Sequence, residues 1–146
     1  MRFYTVDIKG KQEILVGFQQ EAAVYRLRLL ARLVPELATD DMNELICRYT
    51  SAVKEKLERL AENEDVLQGA AVKLAEVKLL APIVHPHQDV VCLGINYDAH
   101  AQEAGRFSSE AFGGERPYTI YFSKRVNRAT ASGESVPRYE GLVDSL

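Results

Sequence analysis

The sequence predicts an α+β fold: a small N-terminal β and helical domain over residues 1–75, then the start of a β-rich domain over 76–146. Three observations carry that expectation. Apolar and polar residues alternate through the first ten positions, apolar residues recur every three or four positions between Met42 and Leu60, and two short apolar runs at 89–94 and 118–124 have strand composition.

In chain order, "RFYTVDI" (Arg2 to Ile8) and "EILVGF" (Glu13 to Phe18) predict two strands of a hairpin interrupted at Gly10-Lys11. The stretch "AAVYRLRLLARLVPE" spaces Val24, Leu27, Leu30 and Ala31 as a helix would until Pro35, although a strand from Val24 to Leu29 fits as well. Asp41 and Glu44 have capping-box spacing, and Met42, Leu45, Ile46, Tyr49, Val53, Leu57 and Leu60 then predict one amphipathic helix of about five turns. Its opposite face, Lys54, Glu55, Lys56, Glu58 and Arg59, reads as solvated. The segment "ENEDVLQGA" reads as a helix end and connector broken at Gly69. "EVKLLAPIV" (Glu76 to Val84), "DVVCLG" (Asp89 to Gly94) and "YTIYFSK" (Tyr118 to Lys124) read as strands, with a helical pattern from Asn96 ended by Gly105.

A chain of 146 residues, 47% hydrophobic, has enough apolar surface for a real core, and chains of this size bury roughly 68–70% of their unfolded surface. The net charge of −3, with both signs interspersed, gives no electrostatic footprint for nucleic acid or an anionic membrane. Cys47 and Cys92 form no disulfide or metal spacing and read as reduced core residues. The N-terminus lacks the continuous apolar stretch of a secretion signal, so a cytoplasmic location is expected.

The chemistry concentrates after the apolar run that stops at Gly94. On a short helix His100 and Glu103 share a face one turn apart, where the carboxylate can accept a hydrogen bond from one ring nitrogen and leave the other as a base. The same spacing equally describes a solvated surface pair. His85, His87 and Asp89 in "HPHQD" lack further nearby ligands and read as a plain loop. "FGG" at Phe112 to Gly114 reads as a hinge in a long loop.

Read together, Leu80-Ala81-Pro82, Gly94-Ile95-Asn96-Tyr97-Asp98-Ala99-His100, Glu103 and Phe122-Ser123-Lys124 resemble the entry to the catalytic domain of the fumarylacetoacetate hydrolase family. The resemblance covers roughly residues 76 to 136 by motif order. It implies hydrolysis, decarboxylation or isomerisation of small dicarbonyl or oxo-acid substrates by a homodimeric enzyme. By the same resemblance His100 is the general base and Glu103 orients it, while Tyr97, Arg106 and Lys124 border the substrate. The family's cofactor is a divalent cation, Mg2+ or Mn2+, acting as a Lewis acid on the developing enolate. Its acidic ligands follow a glycine like Gly141 and are not in these 146 residues, so the chain reads as the N-terminal part of a larger enzyme, inactive alone and with no metal site of its own. The alternative is a non-catalytic interaction module, in which the helix from Met42 to Leu60 mediates assembly.

Overall fold

A computed structural model describes residues 1–18, 23–95, 102, 106, 119–137 and 141. Helices and strands are mixed, as an α+β chain requires. They pack as two compact units, one of residues 1–85 with 128–146 and one of residues 86–127.

The first unit is built on a five-stranded antiparallel sheet of order β4-β3-β2-β1-β5. Strands β1 (Arg2–Ile8) and β2 (Lys11–Gly17) form the expected hairpin. Its turn is Lys9-Gly10, both at positive φ (54° and 80°), the conformation that matches the twist of a two-residue hairpin, and the Gly10 amide donates to Asp7 Oδ1 at 2.7 Å. The ambiguous stretch after residue 22 divides. Ala23–Arg26 is β3, pairing with β2, and Leu27–Leu30 is a single helical turn, α1.

The continuous helix expected from Met42 to Leu60 is two helices, α2 (Met42–Arg48) and α3 (Ser51–Ala61). The chain leaves helical geometry at Tyr49 and Thr50, and the Thr50 side chain caps α3 by accepting from the Val53 amide at 3.3 Å. Asp41 caps α2 through the Asn43 amide at 2.8 Å, but Glu44 accepts from Thr39 Oγ1 at 2.8 Å in place of closing a capping box. Within α2, Leu45 is buried whereas Ile46 is 57% exposed, and neighbouring Cys47 is exposed, not the core residue expected.

The segment read as a connector holds a further helix, α4 (Glu64–Gln68), capped by Asn63. The strand expected over Glu76 to Val84 is much shorter. Strand β4 is Ala71–Lys73, a 3-10 turn occupies Leu74–Glu76, and β5 is only Lys78–Leu79, because Pro82 cannot donate to a ladder.

Both faces of the sheet are covered. On one, Ile14, Val16 and Tyr25 pack with Leu27, Leu30, Leu37, Leu45 and Leu57 from the helical side; on the other, Val6, Leu15 and Val24 pack under Leu74, Val77 and Leu79. Phe3 meets the Tyr49 ring edge-on, centroids 5.2 Å apart. Glu13, almost fully buried in β2, is paired by a two-pronged contact from Arg26: Nε donates to Oε2 at 2.7 Å and Nη2 donates to Oε1. The charged face of α3 lies in solvent, as its composition predicts, with Lys56 bonded to Glu36 at 2.5 Å.

The second unit contains β6 (Val90–Gly94) and β7 (Ile120–Lys124), an antiparallel ribbon registered Val90 to Lys124 and Gly94 to Ile120. Val91, Leu93, Ile120 and Phe122 are all exposed, not packed in a core of this chain.

Candidate functional site

Strand β6 delivers the chain to the motif that begins at Gly94, and two local features explain how the strand ends. The first is a close approach across the ribbon. A side chain at Gly94 would place its Cβ 3.2 Å from Ile120 Cγ2 and 3.3 Å from Ile120 Cβ, tighter than ordinary packing, so any larger residue would press Ile120 back by a few tenths of an ångström. The second is backbone strain. Ile95 has φ 49°, in the left-handed region that a β-branched residue almost never enters. Such conformations cost roughly 1–3 kcal/mol and cluster where chain direction matters for function. The apolar run therefore stops at Gly94 because the backbone makes a strained turn there, and the Asn96-to-His100 sequence follows immediately.

His100, Glu103 and Tyr97 lie outside the described residues, as does the Phe112 to Gly114 hinge. Arg106 is described: it has helical backbone and is exposed. The helical backbone of Arg106 lies one residue past Gly105, where the sequence predicts the helix to end.

Lys124 is exposed at the opposite end of the ribbon from Gly94. Four residue steps at about 3.4 Å per residue separate the two ends by about 14 Å. Its side chain leans back along the strand, Nζ 5.8 Å from the Phe122 ring centroid, on the ribbon face shared with Cys92 and Gly94. Near that end a groove of about 370 Å³ is lined by His87, Gln88, Asp89, Arg125 and Asn127. Among the described residues no group of three or more His, Cys, Asp or Glu side chains could hold a metal ion.

Sequence reasoning missed Ile95 altogether, since nothing about an isoleucine announces positive φ. It also gave Gly94 only a place in a motif, whereas the contact with Ile120 gives it a steric reason.

No protein-family model matches the chain. Oxaloacetate tautomerase YisK of Bacillus subtilis (strain 168), a fumarylacetoacetate hydrolase family protein, is 32% identical to it over 99 residues, which make up 68% of this chain and 31% of the tautomerase. The chain therefore spans about a third of the length of the curated relative it matches. No helix among the described residues is long and apolar enough to cross a membrane. With the Gly94-to-His100 motif and this relationship together, the chain belongs to the fumarylacetoacetate hydrolase family.

Proposed function

We propose that the chain carries the proton-transferring residues of an enzyme acting on small oxo-acids, and that the reaction is keto–enol interconversion of a substrate of the oxaloacetate type. The observation that carries this reading is the relationship to an oxaloacetate tautomerase in a chain that has His100 in the family motif.

The reaction needs one base and one proton relay. In the keto-to-enol direction His100 removes a proton from the methylene beside the ketone, the C–H electrons form the carbon–carbon double bond, and the carbonyl oxygen takes up a proton. The reverse direction returns a proton to carbon and removes one from the enol hydroxyl. No water is consumed, so atoms balance without a co-reactant. Glu103 accepts the imidazole N–H and fixes the tautomer, raising the basicity of the other nitrogen. Arg106 and Lys124 supply positive charge for the substrate carboxylates, and Tyr97 borders the substrate. Hydrolysis or decarboxylation would use the same base on a different bond.

A divalent cation, when bound in this family, stabilises enolate charge as a Lewis acid. The described residues do not fit such a site, so the steps above are confined to protons held by this chain. We also propose a homodimer, an assembly to which the exposed apolar side chains of the β6–β7 ribbon are suited.

The test follows the ultraviolet absorbance of enol-oxaloacetate with the purified full-length protein, with added magnesium and with chelator, beside an acylpyruvate as competing substrate. Accelerated loss of the enol is the expected result. No acceleration under either metal condition, or cleavage of the acylpyruvate alone, would overturn the tautomerase reading.

A further inference from the structure

After β7 the chain re-enters the first unit through a segment that is tightly tied down. Glu134 accepts from Arg128 Nη2 at 2.8 Å and Nη1 at 2.9 Å, and from the Ala131 amide at 2.9 Å, with Lys78 Nζ 3.6 Å away. Ala131 itself is buried. This segment is joined to the one that precedes β6: the Ala129 amide donates to the Val84 carbonyl at 2.8 Å. The preceding segment is held in turn, Thr5 Oγ1 donating to Pro82 O at 2.6 Å and Asn43 Nδ2 to His85 O at 3.0 Å. The stretches leading into and out of the ribbon are therefore fastened together.

That fastening bears on whether the ribbon pairs at all. A two-stranded ribbon is marginal in water, and between Gly94 and Ile120 the strands are linked through about 25 residues. From the fastened side, the link between Val84 and Ala129 by way of the Val90–Lys124 pair is only about ten residues. Closure probability falls roughly as the three-halves power of loop length, so the short link favours pairing by about threefold to fourfold over the long one.

We propose that Glu134 is a positioning residue: by clasping Arg128 and the Ala131 amide it keeps the segments leading into and out of the ribbon together, and so favours the β6–β7 pairing that holds Gly94, at the ribbon's far end, opposite Ile120. Its effect on catalysis rests on the function proposed above. Its effect on the ribbon does not. The local charges agree with the geometry, since the Arg128 guanidinium, followed by the Ala131 amide and Lys78, lowers the Glu134 carboxyl to about 2.

Residue-resolved amide exchange on Glu134→Ala and Arg128→Ala, with the double variant, tests the proposal. Either single change should accelerate exchange at ladder amides of Val90–Gly94 and Ile120–Lys124 about threefold or more, leave Arg2–Ile8 and Lys11–Gly17 unchanged, and add little to the other. Glu134→Gln, which keeps an oxygen for the Ala131 amide, should fall between. Where the wild-type protein turns over oxaloacetate, Glu134→Ala should lower kcat about tenfold with KM nearly unchanged, the signature of a displaced base. Unchanged ribbon exchange, equal acceleration in both sheets, or an unchanged kcat in an active wild-type background would overturn the assignment. A wild-type protein without tautomerase activity sinks the proposed function alone and leaves the exchange result to decide on Glu134.

Discussion

Strand β2 and strand β6 have similar apolar runs, "ILVG" and "VVCLG", and opposite fates. In β2 Ile14, Leu15 and Val16 are buried on both faces of the sheet, whereas in the ribbon Val91 is 71% and Tyr121 67% exposed. A continuous apolar run marks a strand built to be covered on both sides. It does not say what provides the cover. The first unit brings its own, with helices α1 to α4 on one face and Leu74 and Val77 on the other.

The comparison predicts a steep difference in mutational cost. Leu57→Ala, at a fully buried site of the first unit, should lose about 2–5 kcal/mol in equilibrium denaturation, through lost transfer energy and the cavity left behind. In the single chain, where it is exposed, Val91→Ala should stay within about 0.5 kcal/mol. A loss at Val91 approaching that at Leu57 would break the comparison by revealing hidden cover on the ribbon.

A smaller effect separates the two units by charge. Arg26→Ala should cost about 2 kcal/mol, because it strands the buried Glu13 carboxylate, with a discount for the partly exposed guanidinium. The ion pair is strong enough to hold the Arg26 guanidinium above its usual range, chiefly through its hydrogen bond to Glu13. Smaller still, Ile95→Gly should relieve left-handed strain and stabilise the protein by about 1 kcal/mol while lowering turnover, since the motif would lose its fixed direction. Stabilisation with full activity would show that the strain serves nothing.

How much of this could be read from the sequence follows the range of the interactions involved. The β1–β2 hairpin, β6 and the exposed face of α3 were legible because period-two and period-3.6 patterns are local. The break between α2 and α3 was not, because Thr50 competes for the backbone through its own side chain, and Tyr49 keeps the apolar spacing intact while packing on Phe3. Strand β3 stayed open between helix and strand because its pairing partners, β2 and β4, are set by tertiary contact. At the candidate site the motif could be found in the sequence, but the positive φ of Ile95 could not, and the close contact at Gly94 exists only once Ile120 is placed opposite.

Acidity sharpens the account of the ribbon's feet. Glu134 has its carboxyl lowered to about 2, so the stabilisation from its contacts is present above the ordinary carboxylate range near 4.5 and is lost as pH falls from there toward 2. Ribbon amides should lose protection in that window before those of β1 and β2, and Glu134→Gln should remove most of the pH dependence. Simultaneous loss in both sheets would contradict it.

The most direct measurement is the rate of oxaloacetate enol loss in the full-length wild-type protein, His100→Ala and Lys54→Ala under one set of conditions. A general base contributes about 10²–10⁴ in rate. The account predicts a loss of that size for His100→Ala and wild-type activity for Lys54→Ala on the exposed face of α3; an active His100→Ala protein would contradict the assignment of His100 as the base.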